Sequence, residues 1–185
     1  SNHMSNLLVQ NIKHTNGTTA QTIDSSGNTT LSGNLTTSSF VTAKTPAFKA
    51  RLSGDQTINQ STWTQVQFSV EEIDNKGWYD TSAYRYTPQQ AGFYLFTLNL
   101  FQSQGTGNSQ RRIGAISKNG TYLRVWDQEI TSGAAVLTNG SILLEANGSS
   151  DYFEALNWAQ TSNASNVVLS ASDYVNWSGF LVTAT

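Results

Sequence analysis

Residues 92–101 read GFYLFTLNLF. In an extended chain, alternate side chains point to opposite faces. Tyr94, Phe96, Leu98 and Leu100 then form one wholly apolar face, while Phe93, Leu95 and Phe101 load the other. An antiparallel strand of a sandwich ordinarily turns one face to water. A strand apolar on both faces needs two covers. The core of a β-sandwich supplies one, and another subunit is the natural second.

The neighbouring text has the same two-residue period. In AFKARL (47–52), Phe48, Ala50 and Leu52 alternate with Lys49 and Arg51. In TQVQFSV (64–70), Val66, Phe68 and Val70 alternate with Gln65, Gln67 and Ser69. Further strands are predicted at YLRVW (122–126), SILLEA (141–146), DYFEALNW (151–158), VVLSA (167–171) and WSGFLVT (177–183). Turn residues separate them at Ser53-Gly54, Asn75 to Gly77, Gly105 to Asn108, Asn119-Gly120, Asn139-Gly140, Asn147-Gly148 and Asn163. No segment has a persuasive helical period. Short strands at this spacing predict an all-β sandwich or jelly roll over residues 45–185.

Composition narrows what such a fold can do. Charged residues make up 12% of the chain, about half the usual ~25%. The net charge of −2 implies neither a nucleic-acid footprint nor a polybasic membrane patch. There is no cysteine, so no disulfide framework and no thiolate zinc site. No apolar run approaches the ~18 residues of a membrane-spanning helix, and no secretory leader is recognised. Residues 1–4, SNHM, read as a cloning remnant, which leaves His14 as the single remaining histidine. Residues 45–185 therefore lack the base of a Ser-His-Asp or Cys-His arrangement and the imidazole of a metal site. A two-carboxylate glycosidase would have to draw on Glu71, Asp74, Asp127, Glu129, Asp151 and Glu154. These read as solvated turn and edge residues. No Asp-x-Asp-x-Asp-Gly calcium loop is present. The expectation is a protein that is not an enzyme and has no cofactor or metal, no nucleic-acid partner and no membrane insertion.

Residues 5–44 differ from the rest. They contain no Trp or Tyr, and Gly-Asn pairs recur at Gly27-Asn28 and Gly33-Asn34, with Ile23, Leu31 and Leu35 between or beside them. Such a segment cannot bury a core by itself. It is either a flexible linker or a short β-rich stem that becomes ordered when several chains wind together.

Residues 74–96, DNKGWYDTSAYRYTPQQAGFYLF, are dense in aromatic rings. Most of these rings are read as core. The stretch resembles the signature of the C1q-like branch of the C1q/TNF superfamily. The matching residues are Asn75, Gly77, Tyr79, Asp80, Tyr86, Thr87, Pro88, Gly92, Phe93, Tyr94 and Phe96. An opening Ala-Phe-x-Ala is matched by Ala47, Phe48 and Ala50, and a Lys-Asn-Gly hairpin by Lys118, Asn119 and Gly120. A closing Phe-x-Gly-Phe-Leu is matched by Trp177, Gly179, Phe180 and Leu181, with Trp in the first place. A Gly-Asp of the family is replaced by Ser149, Ser150 and Asp151, and no collagen stalk precedes the domain. The wording of residues 5–44 is similar to fibre and structural proteins of tailed bacteriophages. The resemblance implies a ten-stranded jelly roll that assembles as a homotrimer. Phe48, Tyr94, Phe96, Leu98, Leu100 and Phe180 would then form the core or the trimer interface, with the final strand in the inner sheet.

One strand suggests a binding surface. Alternation puts Tyr122, Arg124 and Trp126 on one face of residues 122–126, opposite Leu123 and Val125, with Asp127 and Glu129 following. Aromatic rings beside charged groups are favoured anchors. These five residues are the candidate receptor or glycan site, unless the trimer interface covers them. The functional expectation is the adhesion head of a bacteriophage tail or capsid fibre. It would be displayed on the virion surface after assembly in the host cytoplasm, bind a host glycan or protein, and attach to other virion proteins through the stem. The alternatives are a purely structural trimerisation cap or capsid decoration and, more remotely, a carbohydrate-active enzyme.

Overall fold

A computed structural model describes residues 9–33, 45–102, 110–130, 135–161, 167–169, 171 and 173–185. The chain forms two compact units, Ser1–Ala43 and Lys44–Thr185. The turns expected at Gly105 to Asn108 and at Asn163, together with Asn34 and Leu35, lie outside the described residues.

In the first unit, β1 (Asn11–Lys13), β2 (Thr19–Ile23) and β3 (Thr29–Leu31) form an antiparallel meander. Residues 9–33 are therefore strand and turn rather than coil. The two turns share one design. Gly17 N–H donates to the His14 carbonyl (2.8 Å) and Gly27 N–H to the Asp24 carbonyl (3.0 Å). Both glycines have φ above +80°, the left-handed geometry of a three-residue hairpin loop closed by a bulge. The Asp24 carboxylate accepts from the backbone N–H of Ser26 and Asn28. Ile12, Gln21 and Leu31 lie in one cross-strand row, and Ile23 follows two residues after Gln21. Ile12, Ile23 and Leu31 thus share one face, on which Ile12 and Leu31 are exposed.

The second unit has eight strands of five residues or more: β4 (Ala47–Arg51), β7 (Val70–Asp74), β10 (Ala91–Gln102), β11 (Gln110–Lys118), β12 (Thr121–Ile130), β13 (Val136–Asn147), β14 (Phe153–Thr161) and β16 (Asn176–Ala184). Five shorter segments accompany them: β5 (Gln56–Ile58), β6 (Thr64–Gln65), β8 (Tyr79–Asp80), β9 (Arg85–Tyr86) and β15 (Val167–Leu169). One sheet runs β13-β10-β16-β4-β7, with β15 and β5 continuing beside the end of β10. The other runs β12-β11-β14, with β9, β8 and β6 beyond β14. The chain crosses between sheets after β10, β12, β13 and β14, which makes a jelly roll.

The alternation of β10 is realised in full. Tyr94, Phe96, Leu98 and Leu100 are at most 2% exposed and point into the sandwich. The rings of the 74–96 stretch join them. Phe48 stacks on Tyr86 at 4.2 Å and meets Trp177 edge-on at 4.8 Å. Two of the tyrosine hydroxyls are placed where a carbonyl can accept: Tyr79 donates to Phe68 (2.7 Å) and Tyr94 to Gln90 (2.9 Å), whereas the buried Tyr86 hydroxyl finds no partner. Burial pushes the Tyr94 phenol up to about 12. Gly179 is required by this packing, since a Cβ there would lie 2.7 Å from the Phe96 ring and 2.8 Å from Phe48.

Three local expectations are corrected. First, Asn139-Gly140 is no turn. Both residues lie inside the twelve-residue β13, because any Cβ at 140 would collide with the Val125 carbonyl as β12 crosses close by. Second, residues 66–69 leave the ladder, although Val66 and Phe68 are buried as their alternation requires. The Gln56 side chain substitutes for a partner strand, donating to the Gln65 carbonyl and accepting from the Gln67 N–H, both at 2.8 Å. Third, Phe180 is outside the single-chain core. Trp177, Gly179 and Leu181 occupy the inward positions of β16, which leaves Phe180 facing out at 45% exposure.

Asp151 is 8% exposed. It accepts from Asn119 Nδ2 (2.7 Å), the Asn147 N–H (2.9 Å) and Lys118 Nζ (3.0 Å). It ties the Asn119-Gly120 hairpin, where both residues have positive φ, to the Asn147-Gly148 turn. Burial works to raise its pKa, but these three donors outweigh that and hold the carboxyl below its usual value.

Candidate functional site

The strand carrying the predicted site contains a bulge. Ala115 pairs with Arg124 and Gly114 with Trp126, so Val125 has no opposite residue. One inserted residue moves everything beyond it to the other face. Tyr122 and Arg124 face outward opposite Ser117 and Ala115, and past the bulge Asp127 and Glu129 face outward opposite Ile113 and Arg111. Trp126 sits opposite the inward-facing Gly114 and leaves the group. The single face expected for Tyr122, Arg124 and Trp126 is thereby corrected, and Asp127 and Glu129 join the first two instead.

Ion pairs fix this outward face. Arg111 grips Asp127 with two bonds, Nε–Oδ1 at 2.8 Å and Nη2–Oδ2 at 2.7 Å. Arg124 Nη1 adds a third at 2.8 Å. The Arg111 hydrogen bond holds the Asp127 carboxyl below the ordinary range and raises the guanidinium in return. At the other end of the sheet, Arg85 donates to Glu154 (3.1 and 2.7 Å) and lies 3.7 Å over the Tyr152 ring.

Between these two networks lies an aromatic pair that sequence reasoning missed. The Trp63 ring stands 5.0 Å from Tyr122, tilted by 46°. Trp63 precedes β6, which pairs with β14 on the side away from β11 and β12. To meet Tyr122, the ring must reach back across β14 and β11. Ser61, with φ +52°, turns the chain for this approach, and its N–H donates to the Ala159 carbonyl at 2.8 Å. The signal in the sequence was phase: Trp63 is odd-numbered, whereas the core residues Val66 and Phe68 are even. Ser117, on β11 between Tyr122 and Glu154 in register, is 0% exposed, and its hydroxyl finds no hydrogen-bond partner.

The remaining carboxylates have structural posts or lie on open strand. Asp74 accepts from the N–H groups of Lys76, Gly77 and Tyr79. Glu71 is exposed on β7. No group of three His, Cys, Asp or Glu side chains able to hold a metal occurs among the described residues.

The outward face of the opposite sheet has another character. Leu143, Leu95, Phe180 and Ala47 form one cross-strand row. Leu137 and Phe101 form another, against which Tyr174 packs edge-on at 5.7 Å. Between them lie Ser141, Thr97 and Ser178, then Asn139, Asn99 and Asn176. Charge is confined to the margins, where Lys49 and Arg51 both bind Glu72.

No protein-family model matches the chain, and no curated protein does. Solved structures match it. The globular domain of zebrafish complement 1qA protein superposes with a TM-score of 0.54 at 13% identity, covering 76% of this chain and 99% of that one. Murine APRIL at pH 5.0 gives 0.53 at 11% identity, covering 75% and 98%. The second unit therefore has the C1q/TNF-type jelly-roll fold.

Proposed function

We propose that the jelly roll is the head of a homotrimeric adhesin, carried on the β-rich stem at the end of a bacteriophage tail or capsid fibre on the virion surface. In this reading the stem meets other virion proteins, and the head binds a host-surface glycan or protein. The observation that carries it is the outward face of the β13-β10-β16-β4-β7 sheet, with apolar rows on the strand that the sequence loads on both sides. Solvent is a poor partner for such a face, and copies of the chain related by a closed rotation can cover it. Three heads on one rigid body would gain avidity for a repetitive surface.

The test has two stages. Light scattering should return about three times the 20.1 kDa chain mass; a monomer at micromolar concentration sinks the assembly. Excess purified protein should then block adsorption of a parent virus to its host. A stable trimer that never competes would favour the structural cap.

A further inference from the structure

The head's large exposed hydrophobic side chains, among the described residues, are Ile73, Tyr122, Leu137, Leu143, Tyr174, Phe180 and Val182. Six of these belong to or adjoin the β13-β10-β16-β4-β7 sheet. Only Tyr122 lies on the opposite sheet. Among the described residues that sheet offers one large exposed hydrophobic side chain, too little apolar surface for the buried core of a protein–protein contact. It presents a tilted pair of rings, Trp63 and Tyr122, with fixed polar groups on both sides.

Its charges nearly balance. Arg85, Arg111 and Arg124 stand against Asp80, Asp127, Glu129 and Glu154, one carboxylate in excess. Arg111 and Arg124 share Asp127, Glu129 lies opposite Arg111 in register, and Arg85 is held by Glu154. An anionic ligand would meet an excess of carboxylate and arginines that each already hold a carboxylate. An uncharged one meets no such obstacle.

We propose that this face binds an uncharged pyranose, on a site centred on Trp63 and Tyr122. The inference rests on the adhesion reading and names its ligand class. The electron-rich ring faces suit the weakly positive C–H face of a sugar. Arg124, 55% exposed in its side chain and anchored through Nη1 alone, keeps its other N–H donors beside Tyr122 for sugar hydroxyls. Glu129 supplies an acceptor on the same face. The Ser117 hydroxyl is one of seven buried side-chain N and O atoms without a partner among the described residues, and the one on this face. A buried hydroxyl with no partner is costly to keep, and this one lies between Tyr122 and Glu154. It lies on the same face as Tyr122, where the sugar is placed.

Calorimetric titration with the methyl glycosides of glucose, galactose, mannose and N-acetylglucosamine, alongside sialylated and sulfated glycans, tests this on the full chain. Saturable binding of at least one neutral glycoside is expected. Trp63→Ala and Tyr122→Ala should each weaken it at least tenfold, and Ser117→Ala severalfold, with assembly mass and melting temperature unchanged. Binding of charged glycans alone, binding of none, or neutral binding indifferent to Trp63 and Tyr122 overturns the proposal. Should Trp63→Ala fail to fold, Tyr122→Ala and Arg124→Gln keep it testable: both must weaken binding. Saccharide binding lost in Trp63→Ala while adsorption survives keeps the site and places adhesion on another surface. Saccharide binding by a protein that never blocks adsorption keeps the site and removes the adhesion reading.

Discussion

Replacing Phe180 by alanine separates the core of one chain from the contact between chains. In the single chain Phe180 is 45% exposed. Burying a phenylalanine fully is worth about 1.5–3 kcal/mol, so the share buried within one chain is about 1 kcal/mol. The cavity penalty is small because the position opens outward. Trp177, three residues earlier on the inward side and fully buried, sets the contrast: Trp177→Ala should cost about 3–5 kcal/mol. If other copies cover the Leu143–Leu95–Phe180–Ala47 row, Phe180→Ala loses the remaining share as well, about another 1 kcal/mol per chain. That second loss is coupled to association and changes with protein concentration, whereas the first does not. Urea unfolding followed by tryptophan fluorescence at about 1 and about 100 µM measures both. The wild-type midpoint should rise with concentration, and Phe180→Ala should blunt the rise. A loss of about 3–5 kcal/mol at both concentrations would put Phe180 in the core. A wild-type midpoint independent of concentration would refute the covered row.

Other substitutions probe the fold directly. Gly179→Ala should cost at least about 1–3 kcal/mol by overpacking the Phe48 and Phe96 rings, seen as a lowered melting temperature; an unchanged one would mean that the rings yield freely. Asp151→Ala should cost about 3 kcal/mol, because it leaves Lys118 and Asn119 without their buried acceptor, and Asp151→Asn should recover part of that loss. Asp127 and Asp151 both have carboxyls lowered in the folded state. Their stabilisation is therefore complete above the unfolded value near ~3.9 and is lost as pH falls through the folded values. Thermal melts should be flat between about pH 5 and 8 and fall below about pH 4, less steeply in the double variant Asp127→Asn/Asp151→Asn; equal slopes would assign acid lability to other groups.

Whatever depends on neighbours along one chain was legible in the sequence. Phe48, Ala50 and Leu52, and Tyr94 through Leu100, declare their inward face by a period of two, since the pleat alone sets that direction. The apolar load on both faces of residues 92–101 was legible in the same way, and Asn119-Gly120 announced a tight hairpin. Whatever depends on two segments meeting was not legible. Asn139-Gly140 has the same letters as a turn, yet it stays extended because β12 passes so close that only glycine fits. The bulge at Val125 arises from pairing with Gly114 and Ala115 on another strand, and it moved Trp126 out of the predicted site. Gly179 is small because rings from residues 48 and 96 arrive there, and the inward places taken by its neighbours turned Phe180 outward. Trp63 meets Tyr122 only because the sheet brings together residues 59 positions apart in the chain. Local propensity carries information about direction, but register and close approach are set by long-range pairing, and the candidate site depends on these.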